Sequence, residues 1–244
     1  MRPLSASELL NAWERGLGEP RSTRSLALLA AASSDDAPEV LVQLSIGQRD
    51  ARLLTLREWA FGSQLVCVAS CPNCRERLEW FLNADELRVE PQTERAAKLS
   101  LDRDGYSVSF RLPNALDLAA GAGSKDVDAA RLALLERCVI AATHDDQATS
   151  AAELPTQIVE ALAELMSQAD PQADMRLDLD CLACGHRWQA IFDIESFFWS
   201  EINAWAKRLL TDVHKLASVY GWSESDILSM SPWRRQVYLN LLNG

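Results

Sequence analysis

Four cysteines of this chain form two Cys-x-x-Cys pairs, Cys71 with Cys74 and Cys181 with Cys184. Thiolates at this spacing are typical zinc ligands, and four of them complete a tetrahedral structural site. A site closed in this way has no coordination position left for a substrate. The two pairs therefore predict one structural Zn²⁺ per chain rather than a catalytic metal.

Other chemistry is possible for paired cysteines. A redox Cys-x-x-Cys of the thioredoxin type opens a helix in a βαβ setting, whereas both pairs here interrupt strand-like patterns, which favours a metal site. A thiol oxidoreductase, a set of unliganded core thiols and a zinc site in which His186 replaces one thiolate remain as alternatives. Cys67 and Cys138 are predicted to be small buried hydrophobic residues.

The sequence gives no support for hydrolytic chemistry. It contains no His-Glu-x-x-His, no Gly-x-Ser-x-Gly and no Gly-rich phosphate loop. His144 is followed by Asp145 and Asp146, but this acidic stretch is predicted to be a solvated loop. We therefore predict no catalytic residue and a protein that is not an enzyme.

Charge is unevenly distributed along the chain. The formal net charge is −11, and residues 145–180 hold nine acids against one base. Phosphate contacts dominate nucleic-acid affinity, so this balance favours protein partners over nucleic acid. A zinc-ribbon regulator that binds nucleic acid remains the alternative function, although the sequence shows a basic balance only at its C-terminal end.

The start of the chain lacks the apolar core of a signal peptide, and no apolar run has membrane-spanning length. We expect a cytoplasmic protein without a membrane partner or a small-molecule substrate.

Period-2 alternation flanks both cysteine pairs, in residues 65–68 and 78–82 around the first and in residues 175–180 and 187–192 around the second. Each pair is therefore expected in the turn of a β-hairpin. A third hairpin is predicted to turn at Asp104 and Gly105, and a strand is predicted over residues 40–46. Capping signals and 3.6-residue periodicity predict helices after Ser5, over 22–32, 126–142, 156–169 and 194–220, and after Ser223 and Ser231.

These elements predict an α+β fold, in which zinc-ribbon-like β-hairpins carry a helical insertion and a helical C-terminal segment. We divide the chain into residues 1–62 (helices and a strand packed on the core), 63–93 with 173–194 (the zinc-ribbon-like body), 94–172 (an inserted β-hairpin and acidic helical region) and 195–244 (a helical interaction segment).

The C-terminal segment interleaves aromatic and basic side chains. From Lys207 onward five bases face three acids, a local excess of positive charge in an acidic protein. Aromatic residues and arginine are common anchors of protein interfaces. The predicted partner-binding residues are Tyr220, Trp222, Trp233, Arg234, Arg235 and Tyr238.

The same segment resembles a known family. Residues 216–228 (LASVYGWSESDIL) and 231–235 (SPWRR), followed by Tyr238 and Leu239, are similar to the C-terminal signature of T4-type baseplate hub assembly chaperones and related baseplate proteins of contractile phage tails. Residues 13–16 (WERG), 24–29 (RSLALL) and 174–205 resemble the longer, zinc-knuckle-containing members. The resemblance implies a non-enzymatic protein that binds baseplate hub or other tail proteins, and that is incorporated in, or helps to assemble, a phage tail-like injection particle.

Overall fold

The computed structural model describes residues 1–33, 36–89, 98–121 and 126–242. Helices and strands alternate irregularly along these residues. The helices are α1 (Ala6–Gly16), α2 (Arg21–Ala32), α3 (Pro38–Val42), α4 (Ile46–Phe61), α5 (Ala115–Gly121), α6 (Val127–Cys138), α7 (Thr156–Ala169), α8 (Ile194–Tyr220), α9 (Glu224–Ser229) and α10 (Pro232–Leu242). The strands are β1 (Gln64–Ser70), β2 (Arg77–Asn83), β3 (Leu99–Arg103), β4 (Tyr106–Phe110), β5 (Val139–His144), β6 (Gln147–Ala148), β7 (Arg176–Asp180) and β8 (Arg187–Ile191).

This mixture of helices and small antiparallel sheets confirms the α+β class. The chain divides into two compact units. The first, which we call the helical unit, comprises Met1–Asp36, Leu53–Gly62 and Asp193–Gly244. The second, which we call the sheet unit, comprises Ala37–Arg52 and Ser63–Phe192.

In the helical unit, specific residues mark both ends of α1. The Ser5 hydroxyl accepts a hydrogen bond from the Glu8 N–H, and the Glu8 carboxylate accepts one from the Ser5 N–H, which completes the predicted capping box. At the other end, Gly16 lies against the Trp199 ring, where a Cβ atom would clash. The close approach of α1 and α8 therefore requires glycine at this position.

Helix α8 is the longest element and buries one apolar stripe. Its bounds agree with the prediction, and it ends at Gly221, whose φ of 67° places it in the left-handed region that favours glycine. The buried residues of the stripe recur at helical spacing and are Ile194, Phe198, Ile202, Ala206, Leu209, Val213 and Leu216.

The sheet unit contains a four-stranded antiparallel sheet of order β3-β4-β5-β6, which packs against α6 and α7. The predicted hairpin at Asp104 and Gly105 joins β3 to β4. A continuous apolar core forms between the sheet and these helices from Val108, Phe110, Leu135, Ala142, Leu154, Ile158 and Leu162.

A buried ion cluster fixes the elements around α5. The Asp117 carboxylate is 1% exposed and accepts two hydrogen bonds from Arg111, at 2.6 and 2.9 Å, and one from Nε of Arg137 at 2.8 Å. Burial works against its charge, but Arg111, the Asn114 N–H and Arg137 together hold the pKa of Asp117 below its ordinary value. This carboxylate therefore joins the end of β4, the start of α5 and the end of α6.

The structure contradicts two local predictions. The alternation over residues 40–46 is not a strand, because α3 occupies its first half with Pro38 in the first helical turn, where the fixed φ of proline favours a helix. The helix predicted over 126–142 ends at Cys138, and the β-branched residues Val139 and Ile140 open β5 instead.

The predicted boundary between residues 93 and 94 lies outside the described residues, and the four-segment division stays a prediction. Among the described helices, none combines the length and the apolar character needed to cross a bilayer.

Candidate metal centre and C-terminal surface

Two hairpins of the sheet unit carry the cysteine pairs in equivalent turns. Strand β1 pairs with β2 up to the Ser70–Arg77 pair, and β7 pairs with β8 up to the Asp180–Arg187 pair. Each turn therefore has the same length, and its first and fourth residues are the two cysteines. The two hairpins are structural repeats at this level, as the identical spacing predicts.

Backbone hydrogen bonds close the two turns in the same way. In the first turn, the Cys71 N–H donates to the Glu76 carbonyl at 2.9 Å, and the Arg75 N–H donates to the Cys71 carbonyl at 2.9 Å. In the second turn, the Cys181 N–H donates to the His186 carbonyl at 2.9 Å, and the Gly185 N–H donates to the Cys181 carbonyl at 2.8 Å. These bonds direct both side chains of each pair to one side of the turn.

The residue after each second cysteine has a left-handed backbone. Gly185 has a φ of 71° and Arg75 a φ of 64°. Glycine adopts this conformation without penalty, whereas arginine has a Cβ that disfavours it. The turn geometry is thus the same even though only one of the two turns has glycine there.

The four sulfur atoms lie at distances that suit a common metal ion. Sγ of Cys71 is 3.7 Å from Sγ of Cys184, Sγ of Cys74 is 3.6 Å from Sγ of Cys181, and all four lie within 4.8 Å of one another. A tetrahedral zinc ion with Zn–S bonds of about 2.3 Å places its sulfur atoms about 3.8 Å apart. The separations are far longer than a disulfide bond of about 2.05 Å. The donor set therefore fits a tetrahedral thiolate site.

The four thiols differ in environment. Cys71 and Cys181 are buried, whereas Cys74 and Cys184 are exposed. Nδ2 of Asn73 donates to Sγ of Cys184 at 3.6 Å, and together with the His186 N–H it lowers the pKa of Cys184 to about 6. The Glu76 N–H favours the thiolate of Cys74, but the neighbouring Cys184 and burial outweigh it and raise the pKa of Cys74 to about 12. These hydrogen bonds thus favour the thiolate form of Cys184, which is the form that binds metal.

The remaining histidine and cysteine predictions have clear outcomes. The half-buried His186 stacks on Trp188 with the ring centroids 6.0 Å apart. The group of potential ligand atoms that lie close together consists of the four cysteine sulfurs. The alternative in which His186 replaces one thiolate as a metal ligand therefore finds no support. Cys67 and Cys138 are buried, as predicted. His144 stacks on Tyr106 at the exposed turn between β5 and β6.

Three predicted partner-binding residues of the helical unit form one ring cluster. Tyr220 stacks on Trp222 with centroids 4.4 Å apart, and the edge of Tyr238 meets Trp222 at 4.8 Å. The Arg234 guanidinium lies 5.8 Å from the Tyr238 ring centroid. Trp233 directly precedes Arg234 in the sequence and is 77% exposed.

Arg235 does not belong to this surface. It is 5% exposed, and its Nη1 donates to the Met230 carbonyl at 2.6 Å and, at 3.5 Å, to the Ile227 carbonyl. It therefore satisfies carbonyl groups at the C-terminal end of α9, where a cation also complements the helix dipole. The predicted partner contact is not supported for Arg235, because its guanidinium is used inside the helical unit.

Sequence reasoning missed two exposed residues on the last helix, Val237 and Leu241. Their spacing of four and eight residues from Trp233 was a visible signal, since such residues share one face of a helix. Sequence reasoning also missed Asn73, a residue of the first cysteine turn whose side chain donates to a cysteine sulfur.

A family model described as T4 bacteriophage base plate protein matches residues 25–199. Comparisons with curated proteins and with solved structures gave no significant match. The matched range includes both cysteine pairs and ends before Tyr220, so the C-terminal surface lies beyond it. Because the match covers well over half of the chain, this protein belongs to the T4 bacteriophage base plate protein family.

Proposed function

We propose that this protein is a non-enzymatic component or hub assembly factor of the baseplate of a contractile, phage tail-like injection system. It acts by binding other tail proteins. The observation that carries the proposal is the family match over residues 25–199. The cysteine geometry is consistent with it, because four thiolates would fill the coordination sphere of a metal and leave no position for a substrate.

Zinc is the metal that we propose for the four cysteines, and its role is structural. Soft thiolate ligands in a tetrahedral arrangement select zinc over magnesium or calcium, which prefer oxygen ligands. Ligands from the turns of both hairpins would tie together two chain segments that are 107 positions apart, between Cys74 and Cys181. Metal binding then contributes directly to the folding free energy of the sheet unit.

The binding surface that we propose lies in the helical unit and consists of Tyr220, Trp222, Trp233, Arg234 and Tyr238. Large aromatic rings lose little conformational entropy on binding, and aromatic residues together with arginine are the commonest interface anchors. The clustering of three of these rings supports the proposal because the cluster holds the rings in fixed positions before a partner arrives. A prearranged surface binds at a lower entropic cost.

The experiment is a binding measurement with individual tail proteins. The full chain is titrated by calorimetry with each protein encoded by the neighbouring tail genes, produced one at a time. We expect at least one of them to form a saturable complex, and Trp222→Ala to weaken it at least about tenfold. Absence of a complex with every tail protein would overturn the proposed function.

Nucleic acid is the appropriate counter-ligand in the same experiment. Affinity for duplex DNA that exceeds the affinity for every tail protein, and that falls steeply with salt, would favour the zinc-ribbon regulator instead.

A further inference from the structure

Helix α10 presents an apolar stripe that none of the described residues of the helical unit covers. Trp233, Val237 and Leu241 are 77%, 36% and 66% exposed. Their positions i, i+4 and i+8 place them on one face of the helix. On the opposite face, Arg235 and Leu239 are buried. The helix therefore uses one side to pack and leaves an apolar side in solvent.

Polar side chains frame the stripe on both flanks. Arg234 follows Trp233 on one flank, and on the other flank the Gln236 amide donates to Oδ1 of Asn240 at 2.9 Å. The sequence of α10 contains no acidic residue, although the chain as a whole has a charge of −11. The exposed face of this helix is thus apolar, with a basic residue on one flank and neutral amides on the other.

The area of the stripe indicates whether it binds a second copy of this chain or a different protein. Three partly exposed side chains offer on the order of 300 Å² of apolar surface. A stable symmetric dimer needs roughly 800 Å² per partner, so two flat stripes in contact would not suffice. A groove that encloses the helix and also contacts its flanks buries more, and this is how amphipathic helices are commonly recognised.

We infer that α10 is a docking helix, and that its stripe of Trp233, Val237 and Leu241 inserts into an apolar groove with an acidic rim on another tail protein. This inference rests on the proposed function and specifies the partner chemistry at the same surface. The acidic rim complements Arg234, and the apolar floor receives the stripe. The neighbouring ring cluster of Tyr220, Trp222 and Tyr238 then extends the contact on the Arg234 side.

The test uses the tail protein that binds the full chain most tightly in the calorimetric series. Trp233→Ala and Leu241→Asp are each expected to weaken binding at least about tenfold, because truncating a central interface anchor has an effect of this size. Leu17→Ala is the matched control, since Leu17 is an exposed apolar residue of the helical unit that does not belong to α10. It should leave the affinity unchanged, and all three variants should keep the thermal midpoint of the wild type.

The charge of the partner is tested by Arg234→Glu. This change should slow association several-fold at low salt, and the difference from the wild type should shrink at high salt, because rim charges act mainly on the association rate. Association that Arg234→Glu leaves unchanged or accelerates would overturn the acidic rim.

The remaining outcomes separate this inference from the proposed function. If Trp233→Ala and Leu241→Asp bind as tightly as the wild type, the docking helix is wrong while the baseplate role stands. If the wild-type protein self-associates and Trp233→Ala abolishes that association, the occupant is a second copy and the inferred partner is wrong. If no tail protein binds the wild type, both proposals fall.

Discussion

Replacing Cys181 and Cys184 together with alanine is expected to destabilise the sheet unit far more than loss of two other thiols. The double variant removes both ligands that the second hairpin supplies to the cysteine cluster. The first hairpin keeps its two cysteines, but no metal can then join the two hairpins. A variant with Cys67→Ala and Cys138→Ala is the matched control, because both thiols are buried and lie outside the cluster.

The magnitude follows from the loop that a shared metal closes. Cys74 and Cys181 lie 107 positions apart, and cross-linking a loop of about 100 residues stabilises a fold by roughly 4–5 kcal/mol through the entropy of the unfolded chain. Each alanine in the control should cost about 1 kcal/mol, the typical effect of one buried substitution. The cluster variant should therefore be less stable than the control by about 2–3 kcal/mol.

Urea unfolding followed by circular dichroism measures this difference. With a denaturant slope of about 1–3 kcal/mol per molar urea, the midpoint of the cluster variant should lie about 1 M or more below that of the control. Hydrogen exchange should locate the loss in β1, β2, β7 and β8. Equal midpoints for the two variants, together with wild-type protein that contains no metal, would refute the structural zinc.

Four further substitutions probe the sheet unit. Asp117→Asn should cost about 3 kcal/mol, near the lower end for breaking a buried ion pair because its two arginines are partly exposed. The pKa of Asp117 is lower in the folded than in the unfolded protein, so the stability that its carboxylate provides is fully present above the unfolded pKa of about 3.9. This stability is lost as the pH falls through the lower folded pKa. Acid titration of the Asp117→Asn variant should therefore lack this loss. Gly185→Ala should lower the free energy of unfolding by about 1 kcal/mol, because alanine is disfavoured in the left-handed backbone conformation of this position. Arg75→Gly at the equivalent position of the other turn should be neutral or stabilising. Equal effects of the two substitutions in thermal unfolding would contradict the shared turn geometry. Gly47→Ala should lower the free energy of unfolding by about 2 kcal/mol, because the added Cβ would clash with the Asp170 carboxylate. This carboxylate accepts a hydrogen bond from the Gly47 N–H, so the two groups are in close contact. An unchanged melting temperature would exclude this close approach.

The local signals in the sequence predicted a large part of the fold. The bounds of α7 and α8 agree with those expected from periodicity and flanking residues, and the capping residues Ser5 and Ser223 accept the backbone hydrogen bonds predicted for them. The equal spacing within the cysteine pairs predicted equivalent hairpin turns. These features depend on interactions over a few residues, and such interactions can be read from a single sequence.

The errors occur where packing between distant segments decides the outcome. Whether residues 40–46 form a strand depends on a partner strand, and in the structure only an isolated bridge from Ser45 to Asn114 is found there among the described residues. Likewise, the side chain of Arg235 turns inward because α9 offers carbonyl groups to it. Its neighbour Arg234 has the same chemistry and remains exposed, so composition alone could not separate the two.

Deletion of the gene, followed by electron microscopy of the particles, tests the central claim most directly. We predict that the deletion abolishes complete baseplates, so that contractile particles with attached sheaths are absent, and that the wild-type gene supplied in trans restores them. Particles of normal structure and normal contraction in the deletion strain would contradict a role in the baseplate.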